Sequence, residues 1–395
     1  MAMALTPQEA NAQGLDALRA GNAELAVRLF EQAVAMDSTA ISLWRNLAHA
    51  RRLAGDDAGE RAALEEGLAI DARDLGALIR LAQWFERSGD RREAMIRWSG
   101  VIQLGEQIGD PSSELLRLIE HARVYCAEQQ ARIAAPIREV LAPRHTGFDA
   151  TARRRAGAFM DHVLDGRRIY PNVCAGLHYP FLPADEFFDE HHFPWFADLA
   201  AETDAIRAEL EALIADPGDA LIPYVRMEKG VSGSQWDPLN HNLNWGACFL
   251  WEYGRPNEPV LERCPRTAAA LARLPGARIP GRAPSAFFSM LRPHTRIPPH
   301  TGVTNTRAII HLPLIVPPGC GFRVGGETRE WVVGKPFAFD DTIEHEAWND
   351  SGELRAVLIF DVWNPHLSAE EQALVADYCG MVDQLSSAPQ DGASK

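Results

Sequence analysis

Apolar positions follow two rhythms along this 395-residue chain. Up to about residue 140 they recur at three and four residues, the period of a helix with one buried face. Gly21, Gly55 and Gly89 stand 34 residues apart, followed by Asn22, Asp56 and Asp90, and Asp37 and Asp71 keep the same interval. Large Phe30, Leu64 and Trp98 are each followed three residues later by Ala33, Gly67 or Val101, Leu47–Ala48 returns as Leu81–Ala82, and Trp44 opens the second unit. Each unit predicts two antiparallel helices turning at the glycine. The first unit's leading helix is the weakest, with Gln13–Gly14 where Leu–Ala stands later. Asp110 before Pro111 marks another helix start, and Leu115, Leu118, Ile119 and Ala122 keep helical spacing, which predicts a capping helix pair over residues 110–141.

From about Tyr170 the rhythm changes. Prolines and aromatics crowd together (LHYPFLP, HHFPWF), one helix is predicted over residues 204–214, and short β-like runs follow: WGACFLWEYG, APSAFFSML, TRAIIHLPLIVP, GFRVGGETREWVV, KPFAFDD and ELRAVLIFDVW. Short strands cut by Gly and Pro predict an antiparallel sandwich or jelly roll. The 34-residue period is that of the tetratricopeptide repeat, although the usual closing proline is missing. The expected fold class is therefore α+β and multidomain, with an N-terminal α-solenoid of tetratricopeptide-like repeats and a C-terminal double-stranded β-helix of the cupin-like jelly-roll kind. The expected divisions are 1–105 for three repeats, 106–165 for capping helices and a linker, 166–385 for the jelly roll, and 386–395 for a disordered tail.

Charge narrows the partners. Against 39 Lys and Arg stand 54 Asp and Glu, a net charge of −15, which argues against a nucleic-acid or acidic-membrane partner because phosphate surfaces are bound mainly through Lys and Arg. Neither a signal peptide nor a run of eighteen apolar residues is visible. The six cysteines are scattered and never form CxxC, so a reducing cytoplasm is the expected location.

Candidate chemistry gathers in the β-rich part. His300 stands in RIPPHTGVTN just before a predicted strand, and His345 in FAFDDTIEHEAWND just after one. In a jelly roll those places fall on neighbouring strand ends, where two imidazoles can share a metal. Ten residues later Arg355 opens a predicted strand whose Val357 and Ile359 share its face. An arginine there needs an anion, either an internal Asp or Glu or the far carboxylate of a bound dicarboxylic acid. Asp340 and Asp341 precede the second histidine and suit either a turn or support of an imidazole.

PHTGVTNTRAIIHLPL, GFRVGGETREW, FAFDDTIEHEAWNDS and LRAVLIFDVWNP, in that order, resemble the catalytic domain of aspartyl/asparaginyl β-hydroxylases, with WGACFLWEYGRPNE and SAFFSMLRPHT as entry strands. The resemblance spans roughly residues 170–367. It implies an Fe(II)- and 2-oxoglutarate-dependent dioxygenase that uses O2 to hydroxylate the β-carbon of Asp or Asn in a peptide or protein, with the repeats as the expected means of presenting it. By the same resemblance His300 and His345 are the iron ligands, Arg355 and Ser289 hold the 2-oxoglutarate C5 carboxylate, and His311 and Arg307 lie near its oxalyl end or the substrate acid. Gly302 takes the place of the carboxylate that an ordinary facial triad carries two residues after its first histidine. The family's commoner arginine two residues before His311 is Ile309 here, which removes a positive charge. Two alternatives stay open: the same chemistry on a free or carrier-bound amino acid or acyl chain, and a non-catalytic repeat scaffold.

Overall fold

The computed structural model describes residues 5–145, 147–227 and 234–387, in two compact units, Met1–Gly166 and Arg167–Lys395.

In the first unit three helical hairpins follow one another: α1 (Pro7–Arg19) with α2 (Ala23–Met36), α3 (Ile41–Leu53) with α4 (Asp57–Ile70), and α5 (Leu75–Ser88) with α6 (Arg91–Gly105). The repeated Gly–Asx pair explains the turn. Gly21, Gly55 and Gly89 adopt φ of 75°, 78° and 81°, which a Cβ disfavours, and the next residue caps the second helix. Asn22, Asp56 and Asp90 accept from the amides of Leu25, Gly59 and Glu93. Phe30, Leu64 and Trp98 are fully buried between the hairpins. Gly14, which looks like a flaw in the first helix, is a packing feature: a Cβ there would lie 2.6 Å from the Phe30 ring.

After the hairpins comes one 29-residue helix, α7 (Ser113–Leu141), and then α8 (Ala150–Asp165). The helix start expected at Asp110–Pro111 lies later, because the Ser112 hydroxyl accepts from the amide of Leu115 and caps α7. Residues 110–141 thus hold a single long helix and not a pair.

The second unit contains β1 (Ile222–Pro223), β2 (Trp245–Glu252), β3 (Arg255–Pro256), β4 (Ala286–Leu291), β5 (Thr295–His300), β6 (Arg307–Ile315), β7 (Cys320–Val324), β8 (Glu327–Arg329), β9 (Phe337–Phe339), β10 (His345–Asn349) and β11 (Arg355–Trp363). Among the described residues they form two antiparallel sheets, one ordered β1-β2-β4-β11-β6-β9 with β3 beside β2, the other β5-β10-β7-β8. Along β11 the side chains alternate. Ala356, Leu358, Phe360 and Val362 join the core behind the larger sheet, where the helix Thr203–Ala215 contributes Ile206, Leu210 and Leu213. Arg355, Ile359 and Asp361 face a cavity on the other side. A second core joins the sheets, with Trp245 and Leu291 from the larger and Ile297, Phe322 and Ala347 from the smaller.

β5 carries Pro298–Pro299 and so does not read as a strand in the sequence. It forms because it is an edge strand of the smaller sheet, where proline's missing amide costs no ladder bond. The final helix, Ala369–Ser387, takes in the first two residues of the expected tail, whose remaining residues 388–395 lie outside the described ones. Among the described residues no helix is long and apolar enough to cross a membrane.

Candidate active site

A cavity of about 470 Å³ lies against the inner faces of both sheets, within the usual range for small-molecule sites. His300 ends β5 and His345 begins β10, and the two residues are direct register partners, with ring centroids 4.0 Å apart. Each ring is fixed by its own chain. Nδ1 of His300 is 2.8 Å from the Pro298 carbonyl, and Nδ1 of His345 is 3.0 Å from that of Ile343. A carbonyl only accepts, so both Nδ1 atoms carry hydrogen and both Nε2 atoms keep a lone pair. Burial lowers the pKa of both imidazoles, and for His345 the neighbouring His300 adds to it. Two neutral imidazoles with fixed tautomers are what a divalent metal requires. Among the described residues no group of three or more His, Cys, Asp or Glu side chains gathers into a metal site. A divalent metal held by the histidine pair alone would take its remaining ligands from elsewhere.

The two aspartates before His345 divide their tasks. Asp340 builds the turn: its carboxylate accepts from the amide and hydroxyl of Thr342 at 3.0 and 2.6 Å and from Asn172 at 2.7 Å. Asp341 lines the cavity, where burial, with Asp340 adding to it, pushes its pKa up to about 7. Its carboxylate occupies the space beside Gly302, so that a Cβ on residue 302 would lie 2.0 Å from Oδ2. A side chain at residue 302 would require the Asp341 carboxylate to move.

Further in, the cavity is lined by donors. Arg355 is 1% exposed, and burial pushes its pKa down to about 9. Its Nη1 donates to Ser289 Oγ at 3.3 Å, its guanidinium stacks 4.0 Å from the centroid of Trp331, and its buried Nε has no hydrogen-bond partner. The internal carboxylate that would make this a structural ion pair does not stand beside it among the described residues. Ser289 Oγ also accepts from Trp245 Nε1 at 3.1 Å. With both lone pairs engaged, its own hydrogen is left to donate. His311 Nδ1 and Trp331 Nε1 are likewise buried and unpartnered. Burial, Arg355 and His345 hold the His311 pKa well below the ordinary histidine value. Buried polar atoms left unpaired carry a desolvation penalty, and here the Nε of the Arg355 cation is joined by two more, on His311 and Trp331. That set fits a carboxylate-bearing ligand.

Toward the other end of the same sheet face the charges are paired. Arg307 donates to the buried carboxylate of Asp361 and to the Arg282 carbonyl. Burial raises the Asp361 pKa, while Arg307 opposes the rise. Arg226 is likewise paired with Glu252. Of the six residues singled out in the sequence, His300, His345, Arg355, Ser289 and His311 meet around the inner cavity. Arg307 lines the same cavity but is bound to Asp361. Trp331, Trp245 and Asp361 escaped the sequence reading. Their alternation in predicted strands marks them as inward, but nothing local shows that they carry polar contacts.

The model of the family described as Aspartyl/Asparaginyl beta-hydroxylase matches residues 200–365. The human protein named "Aspartyl/asparaginyl beta-hydroxylase" is 33% identical over 183 residues, 45% of this chain and 24% of that protein. The "Ornithine lipid ester-linked acyl 2-hydroxylase" of Rhizobium tropici is 32% identical over 214 residues, 52% of this chain and 72% of that protein. The chain thus spans about a quarter of the length of its human relative. Among solved structures, the Sgt2 TPR domain from Aspergillus fumigatus matches 33% of this chain over 86% of its own length, with 20% identity and a TM-score of 0.29.

Proposed function

The chain belongs to the aspartyl/asparaginyl β-hydroxylase family, and from that premise we propose that it is an Fe(II)- and 2-oxoglutarate-dependent dioxygenase. His300 and His345 hold the iron. Arg355 and Ser289 hold the C5 carboxylate of 2-oxoglutarate, and His311 and Trp331 donate to its oxygens. When bound, iron and 2-oxoglutarate with O2 supply an oxidant that inserts one oxygen atom into a C–H bond and leaves succinate and CO2. The double-stranded β-helix expected from the sequence is part of this reading, supported by two antiparallel sheets that share an apolar core.

The observation that carries the proposal is the buried, acid-free Arg355, whose own Nε is unpartnered, beside the unpartnered ring nitrogens of His311 and Trp331 and next to two imidazoles with fixed Nδ1 hydrogens. The chain's own residues act by placement. Two carbonyls orient the imidazoles, Ser289 is oriented by Trp245 and Arg355, and the aromatic rings around His311 exclude water. The family's activity makes the β-carbon of Asp or Asn in a peptide the first substrate to test. A peptide or protein presented by the repeat unit, and a cytoplasmic setting consistent with six free cysteines, belong to the same proposal. The test is succinate formation by the purified full chain. Formation that depends on both Fe(II) and 2-oxoglutarate and stops on chelation is the expected result, and its absence under anaerobic iron loading followed by O2 overturns the reading.

A further inference from the structure

Acceptance of an aspartate side chain next to the histidine pair requires a cation free to meet its carboxylate, because a buried unpaired carboxylate is strongly disfavoured. Among the described residues lining the cavity there are three arginines. Arg307 is engaged by Asp361 and Arg226 by Glu252. Arg355, the third, lies at the inner end with Ser289, where the hydroxylase reading assigns it to 2-oxoglutarate.

The wall between these groups is apolar. Phe249, Phe287 and Ile359 sit side by side across β2, β4 and β11, and the Phe249 and Phe287 ring centroids are 5.0 Å apart. Tyr224 packs 5.2 Å from Phe287, and these four residues belong to one apolar cluster. Ile309, on the same strand face as His311, stands opposite Asp361 and lines the cavity as well. Phe287 is two residues from Ser289, and Ile359 four from Arg355, so each strand that supplies an anion-binding group also supplies a hydrocarbon side chain on the same face.

We infer that the group oxidised in this pocket is an uncharged aliphatic segment, and that the wall of Phe249, Phe287, Ile309 and Ile359 selects it over a carboxylate-bearing side chain. This rests on the hydroxylase reading and narrows its substrate. The reaction stays balanced: a C–H bond becomes C–OH, one atom of O2 enters the product and the other enters succinate as CO2 leaves, so that substrate and cosubstrate each give up two electrons. Such a segment could belong to a peptide side chain or to the acyl chain of an acylated amino acid, and both sources present the same chemistry to the wall.

The experiment uses the full chain with Fe(II), 2-oxoglutarate and O2 and has two arms. The first is a set of short peptides that differ only in a central Leu, norleucine, Asn or Asp, and the second is an N-octanoyl amino acid. Added oxygen is read by mass spectrometry, and cosubstrate consumption is read in parallel. The expected result is oxygen on an aliphatic member of one arm, with at least about tenfold higher kcat/KM than on the Asp peptide, the lower end of what a hydrophobic pocket discriminates. Ile309→Arg, which places a cation opposite Asp361, is expected to shrink that ratio by lowering aliphatic turnover. Preferential hydroxylation of the Asp peptide overturns the inference while leaving the hydroxylase reading intact. If no member gains oxygen, stimulation of 2-oxoglutarate consumption decides: stimulation by aliphatic members supports the inference, and stimulation by Asp alone or by none overturns it. Absence of any iron-dependent consumption, with or without added substrate, is the separate result that removes the hydroxylase reading itself.

Discussion

Arg355 and Arg307 face the same cavity from neighbouring strands, with side chains 1% and 17% exposed, yet they are neutralised in opposite ways. Arg307 has its own carboxylate in Asp361. Arg355 has a hydroxyl, an aromatic face and an unpartnered Nε. A fold that can pair one buried arginine can pair both, so the one left unpaired marks where an anion from outside is expected. The paired one marks a wall that is complete without a ligand.

The largest effect lies at the histidine pair that lines the same cavity. His300→Ala and His345→Ala are each expected to reduce iron-dependent succinate formation by more than about a hundredfold, beyond the 10- to 100-fold typical of losing a group that only supports a ligand. Substantial turnover in both variants would mean that the metal is held elsewhere.

Next come the arginines themselves. Arg355→Met should weaken 2-oxoglutarate binding by roughly a hundredfold or more, the equivalent of about 3–5 kcal/mol, because it strands the bound carboxylate. The same change should leave the ligand-free protein as stable as before or more so, since it removes a charge that burial penalises. That penalty stands in full below pH 9 or so, where the guanidinium of the folded chain is protonated, and eases only as the pH rises above it. Arg307→Met is expected to do the reverse. It should cost about 3–5 kcal/mol of stability by leaving Asp361 buried without its partner, and adding Asp361→Asn should recover part of the loss. Urea unfolding of the four proteins checks both halves, and equal destabilisation by the two arginine variants would erase the distinction between them.

A smaller loss is expected from Trp331→Phe, which keeps the aromatic face over Arg355 but deletes an unpartnered N–H. Cosubstrate affinity should fall about tenfold, the worth of one hydrogen bond to a charged acceptor at the low end of its range, about 1.5 kcal/mol. An unchanged affinity would remove Trp331 from the anion site.

The smallest effect concerns acid. The folded-state pKa of His311 lies well below 6.5, so the unfolded chain binds more protons in the interval between the two values. Stability should therefore fall as the pH drops below about 6.5. His311→Phe should flatten part of that slope, and an identical slope in the variant would show that His311 is not held neutral.

Much of this was legible in the sequence, for identifiable reasons. Gly21, Gly55 and Gly89 declare the hairpins because a left-handed turn and the cap that follows it need those residue types locally. The spacing of His300, His345 and Arg355 gave the candidate chemistry, but not that His300 and His345 are register partners. Pro298–Pro299 conceals β5, and only its edge position explains why those residues pair with β10 at all. Gly14 looked like a weakness because its partner, Phe30, belongs to the next helix. Alternation shows that Arg307 and Arg355 point inward, but the presence of an acid beside one and not the other depends on contacts across strands, as does the stacking of Trp331 on Arg355.

The most direct measurement is an anaerobic calorimetric titration of 2-oxoglutarate into the iron-loaded full chain, repeated with Arg355→Met and Arg307→Met. The account predicts one 2-oxoglutarate per chain, bound in a metal-dependent way, nearly lost in Arg355→Met and retained in folded Arg307→Met. Binding that is absent from the native chain, or that survives Arg355→Met unchanged, would contradict it.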